Sequence, residues 1–403
     1  MRFANRIAVL EDKELLGLMQ LAERPDIISF SGGFPSPETY PIDEIKDSFV
    51  KVLEEAGKEA LSYSSASGYA PLREAIANRM NKNYGLRIDK SEMIITSGSQ
   101  QALDMSGMLF IDKGDVILFE TPSYLGALNA LKAYEAELVS VPTDKDGIEI
   151  GALKEAIDKY GDRIKLIYVI PDYQNPTSRS WSSQRRKEFV EFISNYDIAV
   201  LEDAAYAELS FSDHLNEPLI TYDKRGQIVY CGTFSKTFCP GLRVAWIYAT
   251  KDILDKFLVL KTSVDLSSSA IAQRQMVYYM DHYDYDGHIK KITSLYRSRR
   301  DLMMKLAKEH FPKEVTYDYP TGGLFLWASL PEGKDSRELL ALALEENVAF
   351  VPGASFYPKN AKINEMRINF SNMSEEKMIK GIAILGKIMT KYINKYTTEY
   401  INE

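Results

Sequence analysis

The sequence predicts an α/β fold: a mostly parallel sheet with helices on both faces, three layers deep, followed by a smaller α+β unit. Three observations carry this. Short apolar runs alternate with helix-length segments from about residue 42 to residue 201, the pattern of consecutive βαβ units. From about Lys251 the pattern turns helical, with a long charged stretch over Tyr285–His310 able to link two domains, before strands and helices mix again. A length of 403 residues suits one large domain and a smaller one.

In order, the opening segment reads as an amphipathic helix over 13–23 and a strand over 27–30. It breaks at Ser31-Gly32-Gly33-Phe34-Pro35-Ser36-Pro37, a Gly/Pro cluster whose backbone demands fit a domain crossing or a ligand's approach. Helical patterns follow over 42–56 and 71–84. Then come the alternating pairs: strand 93–96 and helix 100–110, strand 116–119 and helix 126–133, strand 138–141 and helix 152–160. Strand 166–169, helix 183–195 and strand 198–201 continue them. Ile228-Val229-Tyr230 and Val244-Ala245-Trp246-Ile247 read as buried strands enclosing a loop. The last part gives strands over 323–328, 349–351 and 366–369 and helices over 336–346 and 375–392. The expected division is an amino-terminal segment joining the small domain (1–40), a large domain (41–300) and a small carboxy-terminal domain (301–403).

Composition excludes several classes. With 45% hydrophobic and 26% charged residues the chain is neither disordered nor fibrous, and a net charge of −8 without a basic stripe argues against a nucleic-acid binder. Cys231 and Cys239 have no Cys/His companions at metal-ligand spacing, so no metal is expected and a reducing compartment is the default. His214, His282, His288 and His310 are scattered through charged stretches and are expected on the surface, which leaves His-centred catalysis unsupported. The amino terminus lacks an apolar signal core, and no run reaches the ~18 apolar residues that span a bilayer, so a cytoplasmic protein is expected.

The chemistry concentrates directly after strands. Lys236, in Ser235-Lys236-Thr237, lies on the loop between two core strands, with Arg243 beyond a Pro-Gly turn. An amine with hydroxyl and guanidinium neighbours suits a covalently held, phosphorylated aldehyde; the bland alternative is a surface ion pair. Ser97-Gly98-Ser99-Gln100-Gln101 opens a helix and fits either a phosphate seat or a plain N-cap. Asp203 ends a buried strand, where a carboxylate is costly unless it meets a cation such as a protonated pyridine nitrogen. Tyr206, three positions on, could bond that ring's phenolic oxygen. Asn175, held before Pro176, could aim its amide at the same oxygen or simply make a turn. Tyr124 follows another strand and could stack on a planar ring or merely pack. Five bland explanations after five successive strands require a coincidence, whereas one site at the strand carboxyl ends requires none.

In this order and across most of the chain, S-G-S-Q-Q, P-x-Y-x-N-P-T, E-D-A-A-Y and S-K-T-x-x-P-G-L-R-V resemble the fold type I, aspartate-aminotransferase-like, pyridoxal-phosphate-dependent aminotransferases of class I/II. The opening G-G-F-P-S-P-E-T-Y-P and Tyr63 through Tyr69-Ala70-Pro71-Leu72-Arg73 are similar to the branch containing 2-aminoadipate and kynurenine aminotransferases. The resemblance implies that Lys236 is the Schiff-base lysine and the base that moves the proton between Cα and C4′. It implies that Asp203 pairs with the pyridine nitrogen, that Asn175 and Tyr206 hold O3′, and that Tyr124 stacks on the ring. Ser99, Gln100, Ser235 and Arg243 would bind the phosphate. Tyr63 would reach it from a second subunit of a homodimer. Arg367 matches the arginine that clamps the substrate α-carboxylate, a task for a planar bidentate fork. Gly33 and Asn175 would also lie against the substrate, and Arg6 or Tyr40 would help read its side chain. Thr233 stands where serine is frequent and keeps the hydroxyl; Cys239 is expected to be a packed thiol.

The implied activity is a ping-pong transfer from an amino acid, with 2-aminoadipate, aromatic and other large apolar donors in view, to 2-oxoglutarate or another 2-oxoacid. The same scaffold hosts β-lyases and decarboxylases. A non-catalytic regulator is the third reading, since this branch resembles the effector half of winged-helix transcription factors.

Overall fold

The computed structural model describes residues 1–4, 6–7, 24, 26–212 and 214–399. The helix expected over 13–23 lies outside the described residues. Strand β1 (Ile28–Ser29) is followed by eight strands of one sheet: β2 (Met93–Thr96), β3 (Val116–Thr121), β4 (Glu137–Asp144), β5 (Gly147–Ile148), β6 (Ile164–Val169), β7 (Ala199–Asp203), β8 (Ile228–Thr233) and β9 (Ala245–Tyr248). They lie in the order β2-β9-β8-β7-β6-β3-β4-β5. The central run β4-β3-β6-β7-β8 is parallel throughout. β9 is antiparallel to both β8 and β2, so β2 points the same way as β8. The carboxyl ends of β2, β3, β6, β7 and β8 therefore share one edge.

These strands read as continuous apolar runs because both faces are buried. Ile117, Phe119, Leu166, Tyr168 and Leu201 enter one apolar cluster, while Val116, Leu118, Ile167, Val169 and Val200 enter another on the opposite face. Burying one such side chain is worth about 1.5–3 kcal/mol. A one-residue slip would exchange the two faces along the whole strand, which fixes the register.

The structure departs from the sequence expectations at three strand ends and at one histidine. β3, β7 and β8 run past their apolar segments into Thr121, Asp203 and Thr233. Polar residues do not end these strands because their side chains find partners inside: Glu120 accepts from Ile170 N (2.5 Å) and Trp181 Nε1 (2.9 Å), and Glu202 from Leu219 N (2.9 Å). Burial pushes both carboxyls up to about 8, with the hydrogen bonds they accept opposing the rise. His288 is buried against Phe238 and Tyr279 rather than on the surface. Cys231 and Cys239 are free and buried.

Beyond the helix Tyr285–His310 the chain adds β10 (Thr316–Tyr317), β11 (Phe325–Ser329), β12 (Val348–Ala349), β13 (Val351–Pro352) and β14 (Glu365–Asn369). β10-β11-β14-β13 form an antiparallel sheet, while β12 pairs in parallel with β1. The single strand expected over 349–351 is thus two, changing partner at Phe350. In β14, Met366 and Ile368 face the core, which leaves Arg367 on the opposite face.

The segment carrying Asn175 is held from below by Arg186. This fully buried arginine donates to the carbonyls of Pro171, Trp181 and Glu217 and pairs with Asp172 at 2.6 Å. Removing one partner of a buried pair leaves the other charge uncompensated. Arg186→Met is expected to destabilise the protein by about 3–5 kcal/mol, read as a fall in the urea midpoint at unchanged slope. A midpoint equal to that of the wild type would show that Asp172 is solvated and the pair incidental.

Candidate active site

At the shared carboxyl edge a cavity of ≈ 440 Å³ gathers Gly33, Ser99, Gln100, Tyr124, Asn175, Asp203, Tyr206, Ser235, Lys236, Arg243 and Arg367. The strand-end residues named from the sequence are therefore together in space. Tyr63, Arg6 and Tyr40 are not among the residues that line it. Tyr63 is 89% exposed and borders a separate cavity with Tyr69, Arg73 and Arg274. Arg6 is exposed, and Tyr40 packs against a second core cluster.

The loop between β8 and β9 is pinned at its base. Phe234 N donates to Val244 O at 3.1 Å, and Ser235 N to Thr233 Oγ1 at 3.1 Å. It presents Lys236, whose Nζ donates to Gly33 O at 2.8 Å. Burial first, then the charge of Arg367, press this amine down to about 8; Asp203 opposes the fall and Arg243 adds to it. An amine that releases its proton so near neutrality can act as nucleophile and as base.

Asp203 is 4% exposed. Its Oδ2 accepts from Tyr168 OH at 2.7 Å and its Oδ1 from Ala205 N at 3.2 Å, but no cation lies within ion-pair distance among the described residues. Burial raises its pKa, with the Tyr168 and Ala205 bonds opposing. Arg367 is the mirror case. It is 7% exposed, has no carboxylate partner among the described residues, and lies between the rings of Phe325 (4.4 Å) and Phe356 (5.0 Å). Its NH1 donates to Asn175 Oδ1 at 2.8 Å and its NH2 to Ser31 O at 2.6 Å, leaving Nε unpartnered. Burial lowers its pKa to about 10. Asn175 also donates through Nδ2 to Tyr206 OH at 3.2 Å, so one amide ties the arginine to the phenol. Both X-Pro bonds beside the cavity, Thr121-Pro122 and Asn175-Pro176, are cis.

The other end of the cavity is built for an anion. The helix Ser99–Phe110 starts after Gly98, whose φ is +82°. A Cβ there would lie 2.2 Å from Arg243 Nη2, so only glycine lets the guanidinium sit over the helix start. Arg243 itself adopts φ 54°, ψ 47°, a conformation that costs a non-glycine residue roughly 1–2 kcal/mol. Such a helix start, flanked by Ser99, Gln100, Ser235 and a guanidinium, has the free N–H groups and the positive charge that suit a phosphate. Tyr124 lies so close over Gly126 that a side chain there would collide with its ring at 2.4 Å.

A buried anion without a cation, a buried cation without an anion, a depressed amine and a phosphate seat thus share one cavity, a donor set that fits pyridoxal phosphate and an amino acid. Among the described residues no His/Cys/Asp/Glu cluster could hold a metal ion. The family model for aminotransferase class I and II matches residues 25–385. The chain belongs to this family. It is a pyridoxal-phosphate-dependent transaminase of fold type I. It is 39% identical to aromatic-amino-acid aminotransferase 1 of Thermococcus litoralis, over 98% of this chain and 95% of that one. Its structure is similar to that of Pyrococcus horikoshii kynurenine aminotransferase, solved with PMP, kynurenine and product (TM-score 0.92, 36% identity, 96% and 97% of the two chains). It is also similar to Thermus thermophilus α-aminoadipate aminotransferase (TM-score 0.90, 32% identity, 97% and 98%).

The sequence gives no expectation for Tyr168 or Phe325 at this site, and places Ser31 there only as part of the Gly/Pro cluster. Tyr168 reads as one more apolar residue of β6; its place near a strand end, beside the strand of Asp203, was the available signal. Ser31 and Phe325 act through a backbone oxygen and a ring face, which carry no motif.

Proposed function

We propose that this transaminase takes amino groups from large apolar or aromatic amino acids, or from 2-aminoadipate, and passes them to 2-oxoglutarate or another 2-oxoacid in a ping-pong exchange. The observation that carries the reading is the pair of uncompensated buried charges, Asp203 and Arg367, in one cavity with the depressed amine of Lys236. Bound there, pyridoxal phosphate supplies an aldehyde for the amine and a protonated ring that draws electrons from the substrate Cα. Asp203, oriented by Tyr168, holds the proton on the ring nitrogen. Tyr206, whose oxygen is taken up by Asn175 Nδ2, has its own proton to give to the ring's phenolic oxygen, and Tyr124 covers a ring face. Ser99, Gln100, Ser235 and Arg243 hold the phosphate. Arg367 turns its fork to the α-carboxylate with Gly33 close by, and Lys236 takes the Cα proton and returns it at C4′. The remaining walls include Leu125, Ile170, Val351 and Phe356, which supports large apolar donors.

The working unit in this reading is a cytoplasmic homodimer, with Tyr63 reaching the phosphate of the partner's site. Leu61, Tyr63 and Leu266 are exposed apolar groups near one another, joined through Ser64, which donates to Ser267 Oγ and Ser268 O at 3.4 Å each. Free, buried thiols fit a reducing compartment. No described helix is long and apolar enough to cross a membrane. The division into 1–40, 41–300 and 301–403 is proposed on the β1–β12 pairing, which joins the amino-terminal segment to the later unit.

A panel of amino donors with 2-oxoglutarate tests this: glutamate should accumulate with the large apolar and aromatic donors. Pyruvate and ammonia formed without an acceptor would mark a lyase instead. In the same assay Arg367→Leu should lose about 10²- to 10⁴-fold in kcat/KM, mostly through KM, because a buried charge partner worth about 3–5 kcal/mol is removed. An unchanged KM would place the α-carboxylate elsewhere.

A further inference from the structure

Against the start of the helix Ser99–Phe110 lies a polar cluster none of whose members lines the cavity. Its centre is Lys261, on the helix Lys251–Val264, with a side chain 0% exposed. Its Nζ donates to Gln101 Oε1 at 2.9 Å, to Ser268 Oγ at 2.8 Å and to both oxygens of Asp265 at 2.7 Å. These bonds orient the Gln101 amide. Its Oε1 also accepts from Ser97 N at 2.8 Å, and its Nε2 donates to Asp265 Oδ2 at 2.8 Å. Ser97 is held a second time, its Oγ donating to Asp265 Oδ2 at 3.0 Å. Ser97 and Gln101 bracket Gly98, Ser99 and Gln100, the residues of the phosphate seat. On its far side the cluster holds Ser64, next to Tyr63, through Ser268 O.

Taking an ammonium out of water costs several kcal/mol even when it is paired, and an apolar side chain of similar length fills the same space without that cost. Packing alone therefore does not account for a lysine here; what it adds is orientation. With methionine there the Gln101 amide would keep only its Nε2 bond to Asp265 as an anchor, and the Oε1 that accepts from Ser97 N would lose the ammonium that fixes it.

We propose that Lys261 is a positioning residue for the cofactor phosphate: it locks Ser97 and Gln101 on either side of the seat and ties the seat to the loop that carries Tyr63. This rests on the phosphate assignment made above. Lys261→Met and Asp265→Asn are compared with the wild-type chain, the second being the milder change on a partly exposed side chain. The dissociation constant for pyridoxal phosphate, from titration of cofactor-free protein, is expected to weaken by about ten- to a hundredfold in Lys261→Met and less in Asp265→Asn. Amide exchange at 97–101 should quicken by at least about tenfold while exchange in β6 and β7 stays unchanged, a local signature that general destabilisation would not produce. Wild-type protein that fails to bind the cofactor one-to-one overturns the phosphate assignment itself. Wild-type binding with both variants within about twofold in affinity, and with exchange at 97–101 unaltered, overturns this inference alone. If Lys261→Met does not fold, Asp265→Asn decides by the same two readouts.

Discussion

Lys236→Ala is expected to abolish transamination, with kcat falling by at least about 10⁴-fold, in a protein that stays folded. The size follows from two proposed roles lost together, the amine that would hold the aldehyde and the base that would carry the Cα proton. No neighbour can substitute. Arg243 and Arg367 line the same cavity, but a guanidinium does not give up its proton near neutrality, and the histidines lie elsewhere. The fold should survive because the loop is fastened by backbone bonds from Phe234 and Ser235, and among the described residues the Nζ hydrogen-bonds only Gly33 O. Borohydride reduction followed by peptide mass analysis separates the roles. The wild type should keep a pyridoxyl mass on the peptide containing Lys236, and the variant should keep none. Activity within about tenfold of the wild type would remove Lys236 from the chemistry.

Much of this was readable from the sequence, for a physical reason. In a parallel sheet buried on both faces, the strands are near-continuous apolar runs, and the first polar residues after them fall on one edge. Asp203, Asn175, Tyr124 and Lys236 could therefore be placed together without knowing any distance. Boundaries failed where a local signal was overridden. The helix expected over 42–56 continues to Ala60 across a non-helical Ala56 (φ −143°, ψ 35°), so Ala56-Gly57 marks a kink rather than an end. Glu120 and Glu202, just past the apolar runs 116–119 and 198–201, are core groups with partners drawn from distant loops. Arg367 was visible only through family resemblance. It comes from the other sheet, and nothing in Glu365-Met366-Arg367-Ile368-Asn369 says that its odd face meets Phe325, Phe356 and Asn175. Lys261 was invisible altogether, since a lysine on an amphipathic helix reads as solvated until its acceptors, from two other segments, are seen around it.

Asp203→Asn should separate catalysis from stability more cleanly than any other substitution in this site. In the role proposed for it the carboxylate would supply the charge that keeps a proton on the ring nitrogen, and asparagine keeps its shape while losing that charge. Losing one partner of a buried ion pair costs about 3–5 kcal/mol, so kcat/KM should fall roughly 10²- to 10⁴-fold. The cofactor-free protein should respond in the opposite direction. Burial raises the pKa of Asp203 above its unfolded value, so folding disfavours the ionised form. The stability this group contributes is present below the unfolded pKa and lost as pH rises through the folded one. At pH 7 an uncharged asparagine in its place should leave the cofactor-free chain at least as stable as the wild type, and the gap should close as pH falls toward ~4. Thermal melts of both proteins without cofactor at pH 7 and at the acid end measure this. A variant that is both inactive and less stable at pH 7 would mean that Asp203 already has a cationic partner within the protein. Full activity with an unchanged melt would mean that the ring nitrogen needs no carboxylate here. The expected pairing of lost activity with retained or increased stability is what a charge buried for a ligand's sake produces.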